Sequence, residues 1–313
     1  MQTIDWLLES DPVIRWQALR DLTDTSPDTV AAERARVPRE GLAAAILARQ
    51  EPDGSWRRPD SSVWLPTLFT LLLLRASGVD PCDPAVDSAV SRLEASLRFT
   101  DQHGRWELRP RESGAGSFFE GEVEPCINGG VVALGGYFRR PRETLLRHLL
   151  SEQLDDGGWN CDAPPSARSS FHTTICVLEG LLEYDRAVGS TPEIAAARRR
   201  AEEYLLTRAL FRRLSTGEVA HPEFLNFAFP PRYHYDVLRA LDYFRAAALA
   251  PDPRMNDALR LIERKRQPDG RWLLDVSYDE ALGLPLGESV GQPSRWNTLR
   301  ALRVLRWFKR PAR

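Results

Sequence analysis

Cys126, Cys161, His172 and His234 are the side chains of this sequence best suited to binding a soft metal or acting as nucleophiles. They sit in Glu124-Pro125-Cys126, Trp159-Asn160-Cys161-Asp162, Phe171-His172-Thr173-Thr174 and Arg232-Tyr233-His234-Tyr235-Asp236. Thiolates together with imidazoles select zinc over magnesium or calcium; four such ligands close a tetrahedron, whereas three leave a position for chemistry. Glu124 and Asp236, at the edges of these segments, are the carboxylates expected to be catalytic. The four metal-binding candidates span 108 residues with no Cys-x-x-Cys pair, so they make a site only if the fold gathers distant segments. The remaining cysteines, Cys82 and Cys176, read as small hydrophobes. His103 falls in a turn, His148 on the surface of a polar helix, and His221 in a structural segment.

The elements that must position them follow from an internal repeat. Gln50-Glu51-Pro52-Asp53-Gly54-Ser55-Trp56 and Gln153-Leu154-Asp155-Asp156-Gly157-Gly158-Trp159 share the pattern Gln-x-x-Asp-Gly-x-Trp. Gln267-Pro268-Asp269-Gly270-Arg271-Trp272 is the same turn with Gln moved by one, His103-Gly104-Arg105-Trp106 is a weaker copy, and Thr216-Gly217 marks a degenerate one. The glycines at 54, 104, 157, 217 and 270 are 50, 53, 60 and 53 residues apart, the length of two helices and two connections. Asp-Gly stops a helix because Gly accepts φ > 0, and Trp folds back onto the next unit.

Apolar runs at helical spacing follow the turns at 61–77, 124–138, 169–185, 232–248 and 294–308. More polar helical segments lie near 84–98, 141–153, 192–213 and 254–266, and are expected to face solvent. Pro12 to Leu22 completes six inner helices, and Thr29 to Arg49, interrupted at Pro38, supplies its outer partner. Ile4 to Glu9 is placed to meet the last repeat. The expectation is an all-α chain forming one domain over residues 1–313, an (α/α)6 toroid of about 50-residue hairpins, with an open solenoid as the alternative.

The repeated turns resemble the Gln-Trp repeats of the squalene–hopene cyclase and protein prenyltransferase β-subunit superfamily over nearly the whole chain. Class II cyclases of this kind protonate an alkene from an Asp-x-Asp-Asp motif, which this sequence lacks. The prenyltransferase branch matches better at the metal site: its Asp-x-Cys resembles Glu124-Pro125-Cys126, and its Tyr-His-Thr-Cys resembles Phe171-His172-Thr173-Thr174. The resemblance implies zinc at Glu124, Cys126 and His172, with Glu in place of Asp. Lanthionine cyclases also combine an α/α toroid with zinc, but their Trp-Cys-Tyr-Gly and Cys-His-Gly motifs are absent.

In a toroid the inner-helix N-termini share one mouth, which would bring Cys126, Cys161, His172 and His234 together. Their partial positive charge would lower the pKa of a thiol such as Cys126 and favour an anion. Arg168, Arg232 and Arg295 precede inner helices and would add to that field. Four glycines in 126–136 weaken a helix by about 1 kcal/mol each relative to Ala, so the backbone there is either closely approached or leaves room for a ligand.

Composition sets the remaining bounds. Lys plus Arg total 42 against 44 Asp plus Glu, a net charge of −2, which argues against nucleic acid or an anionic membrane as main partner. The longest apolar stretch, near Leu68 to Leu74, is too short to span a bilayer. With no basic, apolar leader at Met1-Gln2-Thr3-Ile4-Asp5-Trp6, the expected location is cytoplasmic. The functional expectation is a zinc-dependent enzyme acting on an isoprenoid or other small hydrophobic substrate, with a structural-zinc binding protein as the alternative and a terpene cyclase behind both.

Overall fold

The computed structural model describes residues 2–57, 64–97, 117–279 and 286–309. Among them the chain is all-α, with one antiparallel ribbon of two-residue strands, β1 (Trp272–Leu273) and β2 (Pro293–Ser294). The buried helices are α2 (Pro12–Leu22), α5 (Trp64–Ser77), α7 (Pro125–Tyr137), α9 (Phe171–Val188), α11 (Val237–Ala246) and α13 (Arg295–Lys309). Between them run α1 (Gln2–Leu8), α3 (Pro27–Arg34), α4 (Gly41–Leu47), α6 (Pro84–Ser96), α8 (Glu143–Ser151), α10 (Pro192–Leu206) and α12 (Asn256–Arg264). This order is that of the helical hairpins the repeat spacing requires. The split of the first polar partner into α3 and α4 falls at Pro38, where proline interrupts the helical ladder.

Local chemistry fixes the boundaries. Pro at N1 with a preceding capping carboxylate starts α2, where Asp11 accepts from Val13 N at 3.0 Å, and α6, where Asp83 accepts from Ala85 N at 3.0 Å. The amphipathic α8 and α12 bury only their apolar stripes, Leu145, Leu146 and Leu149 in one and Ala258, Leu259 and Ile262 in the other.

The repeated turn has one physical design. Gly54, Gly157 and Gly270 all have φ between +81° and +101°, as a helix exit on glycine demands. The amide of Gln50 donates to Gly54 O at 2.9 Å and to Ala89 O on α6 at 2.8 Å. Gln153 repeats this with Gly157 O at 2.7 Å and Ala197 O on α10 at 2.8 Å, so the Gln ties its turn to the following polar helix. In the third copy the shifted Gln267 donates instead to Lys265 O at 3.0 Å. Each Trp is anchored by a threonine of the next buried helix: Thr67, Thr174 and Thr298 accept from the backbone N–H of Trp56, Trp159 and Trp272 at 3.0, 3.1 and 3.0 Å. The copy at His103–Trp106 lies outside the described residues.

The chain packs as two compact units. One comprises Met1–Ile46, Ala76–Asp80 and Glu203–Arg313; within it the two ends of the sequence meet. Thr3 Oγ1 donates to Asp269 O at 3.2 Å, and the guanidiniums of Arg271 and Arg295 lie 4.2 and 4.5 Å from the Trp6 ring. The N-terminal helix therefore covers the last repeat, as expected. On α2, Gln17 accepts from Arg303 of α13 at 3.1 Å.

The other unit, Leu47–Arg75 and Pro81–Glu202, is built around α7 and α9. A Cβ on Gly129 would stand 2.6 Å from the Cys176 carbonyl, and one on Gly180 2.4 Å from Gly129 O. Close backbone approach of α7 to α9 thus accounts for the glycines facing α9, while Gly130 leaves ordinary contact to Leu72 at 3.5 Å. This approach fixes where the N-termini of α7 and α9, which carry Cys126 and His172, stand within the unit.

Candidate metal centre

The segment leading into α7 is held by its own polar groups. The Asn128 side chain accepts from Glu122 N and donates to Glu122 O, both at 2.7 Å, and is fully buried. The Glu122 carboxylate in turn accepts from Val123 N at 2.8 Å and Glu124 N at 2.9 Å. Pro125 then occupies the first helical position, where a missing N–H does no harm. Glu124 is the N-cap, yet its carboxylate makes no cap bond; it turns to Cys126, with Oε2 3.6 Å from Sγ.

Cys161 arrives from the turn after Trp159. Asn160 braces that loop by donating to Ser166 Oγ at 3.1 Å and Arg168 O at 2.8 Å. Thr173, on the first turn of α9, contacts Cys161 Sγ at 3.3 Å and accepts from Cys161 N at 3.4 Å. The result is a cluster: the Glu124 carboxylate and the Cys126 and Cys161 sulfurs all lie within 4.8 Å of one another. Two sulfurs and one oxygen suit zinc, whose tetrahedral bonds of about 2.3 Å to S and about 2.1 Å to O set S and O about 3.6 Å apart. The Glu124–Cys126 separation of 3.6 Å meets that requirement.

The electrostatics of the thiols differ from the sequence expectation. The hydrogen bond to Cys161, burial and the Glu124 charge push the Cys126 thiol well above its ordinary value, although it sits in the first turn of α7. Cys161 is held below its ordinary value by hydrogen bonds from Cys126 and Thr173. Burial and the neighbouring sulfur thus set the direction at Cys126, opposite to the lowering expected from its place at a helix N-terminus.

A cavity of about 310 Å³ opens against this cluster, with Glu124 and Cys161 in its wall and Cys126 buried behind them. Val123, His148, Glu152 and Asp162 also line it. His148 Nε2 lies 3.6 Å from Glu152 Oε1. His148 keeps a part-exposed position on the polar α8, as expected; it borders the cavity because α8 ends at the Gln153 turn that delivers Cys161. Thr173 was absent from the expected set, although it adjoins His172.

The other expected residues stand elsewhere. His172 is the second residue of α9, half-buried, and is not a member of the Glu124–Cys126–Cys161 cluster. His234 belongs to the other unit and precedes α11 rather than beginning it. The helix starts at Val237 because Asp236 caps it, accepting from Arg239 N at 2.7 Å, while His234 stacks on Tyr278 with centroids 3.8 Å apart. Asp236 is 1% exposed; it also accepts from Ala228 N at 3.3 Å and faces Arg300 at 3.9 Å. Burial outweighs Arg300 and raises its carboxyl above the usual range. Of the arginines expected to build a positive field, Arg168 is exposed and Arg295 lies over Trp6.

No protein-family model and no curated protein matches the chain. Among solved structures it is similar to the type II terpene cyclase MstE from Scytonema, at 17% identity and TM-score 0.46 over 94% of this chain and 85% of that one. A structure of the MstE R337A variant in complex with geranylgeranyl dihydroxybenzoate gives 17% identity and TM-score 0.45 over 95% and 86%. A protein from Actinoplanes gives 14% identity and TM-score 0.46 over 95% and 89%. Among the described residues no helix is long and apolar enough to cross a membrane.

Proposed function

We propose that the chain is a zinc-dependent enzyme of the α/α-toroid type, holding the metal through Cys126, Cys161 and Glu124 and acting on an isoprenoid or other small hydrophobic substrate. The observation that carries the metal reading is the meeting of two thiols and a carboxylate within 4.8 Å beside a cavity whose wall includes two of the three. Three protein ligands leave the fourth position to substrate or water, which favours a catalytic over a structural ion. Zinc bound there would act as a Lewis acid and generate a nucleophile at neutral pH. Glu122 and Asn128 hold the α7 entry, Thr173 positions Cys161, and the His148–Glu152 pair lines the same cavity. The substrate class rests on the Gln-Trp resemblance.

Protein purified without added metal is expected to contain about one zinc per chain by elemental analysis, and Cys126→Ser is expected to lose most of it. Because ligands and fold are coupled, the variant should also unfold at lower temperature. A Cys126→Ser protein with stoichiometric zinc at unchanged affinity would overturn the assignment.

A further inference from the structure

We infer that Cys126 and Cys161 form an intramolecular disulfide on reaction with a hydroperoxide, making the thiol pair an oxidative modification site that switches off the metal site proposed above. Both cysteines are free thiols and their sulfurs lie within 4.8 Å, so a modest movement brings them to bonding distance. Cys126 is fixed on the wholly packed α7, whereas Cys161 lies outside any helix, in the irregular segment between Trp159 and α9. Access is also asymmetric: Cys126 is buried, while Cys161 is partly exposed in the wall of the 310 Å³ cavity, ample for a peroxide.

The chemistry balances. The Cys161 sulfur attacks the peroxide O–O bond, giving a sulfenic acid and one water. The Cys126 sulfur then attacks the sulfenic sulfur, the S–S bond forms and a second water leaves; two thiols and one hydrogen peroxide yield one disulfide and two waters. The other two cysteines are built differently. Cys82 is exposed beside Arg139, and Cys176 is buried on α9 with its backbone against Gly129. Neither belongs to the cluster. Since both ligating sulfurs are consumed, the oxidised chain keeps only the carboxylate of the proposed zinc set.

The inference rests on the thiol pair itself; only its regulatory consequence depends on the zinc reading. The reduced full chain, stripped of metal with a chelator, is treated with one equivalent of hydrogen peroxide and unfolded in excess N-ethylmaleimide. Two of the four cysteines should then be alkylated, and proteolytic mapping should recover a Cys126–Cys161 linked peptide. Cys82→Ser should cross-link as wild type, whereas Cys126→Ser should stop at a dimedone-reactive sulfenic acid on Cys161. Linkage through Cys82 between chains, linkage of Cys126 to Cys176, or oxidation that stops on Cys161 in the wild type would overturn the inference. In a parallel arm, zinc-loaded protein should release its metal to a colorimetric chelator in step with the disulfide. Cross-linking of a chain that never retained zinc would uphold the disulfide and sink the zinc reading; retained zinc without cross-linking would do the reverse.

Discussion

Replacing Asp242 by Asn is expected to destabilise the protein by about 3–5 kcal/mol at neutral pH, the effect of removing one partner from a buried charge network. Asp242, on α11, is ion-paired with Arg303 of α13, lies 2.8 Å from Arg245 and 4.0 Å from Arg300. Arg303 also reaches Asp21 on α2 at 3.7 Å and Arg300 faces Asp236 at 3.9 Å, but Asp242 is the carboxylate shared by all three guanidiniums. Burial alone would raise its pKa, but Arg303, Arg245 and Arg300 together hold it far below the usual carboxylate range. A depressed folded value means that the stabilisation is complete above the unfolded pKa, about 3.9, and is lost as pH falls through the folded one. Thermal unfolding of wild type and Asp242→Asn should therefore differ widely at pH 7 and converge as pH drops below about 4. Equal melting temperatures at pH 7, or a gap that does not shrink in acid, would contradict this account of the network.

Trp159→Ala is expected to lower stability by about 3–5 kcal/mol, as large aromatic truncations in cores do. Trp159 is 0% exposed; its indole donates to Leu149 O at 2.7 Å and its backbone N–H to Thr174 at 3.1 Å. Its consequence extends to the site, because Asn160 and Cys161 continue directly from it. The variant should bind zinc more weakly even at temperatures where it remains folded by circular dichroism. Trp272→Ala, a core tryptophan of equal burial in the other unit, serves as control: it should lose comparable stability while leaving zinc affinity unchanged. Equal losses of metal affinity in both variants would separate the Trp159 turn from the site.

Most of the helices were legible in the sequence because their signals are local. Asp11 followed by Pro12 starts α2 at the expected residue, and the Asp-Gly turns stop helices where positive φ is needed. The threonines that anchor each Trp escaped notice because their offsets from Trp are 11, 15 and 26 residues, set by loop length rather than by a fixed spacing. His234 reads as a helix start because Tyr233 and Tyr235 carry the apolar pattern upstream of the Asp236 cap, whereas the helix itself begins at Val237. At the site, the meeting of Cys126 and Cys161 was legible as thiols that the fold would bring together, with Glu124 beside Cys126. The direction of the Cys126 shift was not, since it depends on burial and on Cys161, 35 residues away in sequence. The place of His148 beside the cavity depends on packing in the same way, since the sequence marks only a polar helix end.

The central claim is that Cys126, Cys161 and Glu124 hold one zinc ion, and X-ray absorption at the zinc edge of the purified protein tests it most directly. The account predicts a shell of two sulfurs near 2.3 Å with the remaining ligands nitrogen or oxygen near 2.0–2.2 Å. One sulfur should disappear from that shell in Cys161→Ser. A first shell of nitrogen and oxygen alone, or protein with no zinc edge after purification and reconstitution, would contradict it.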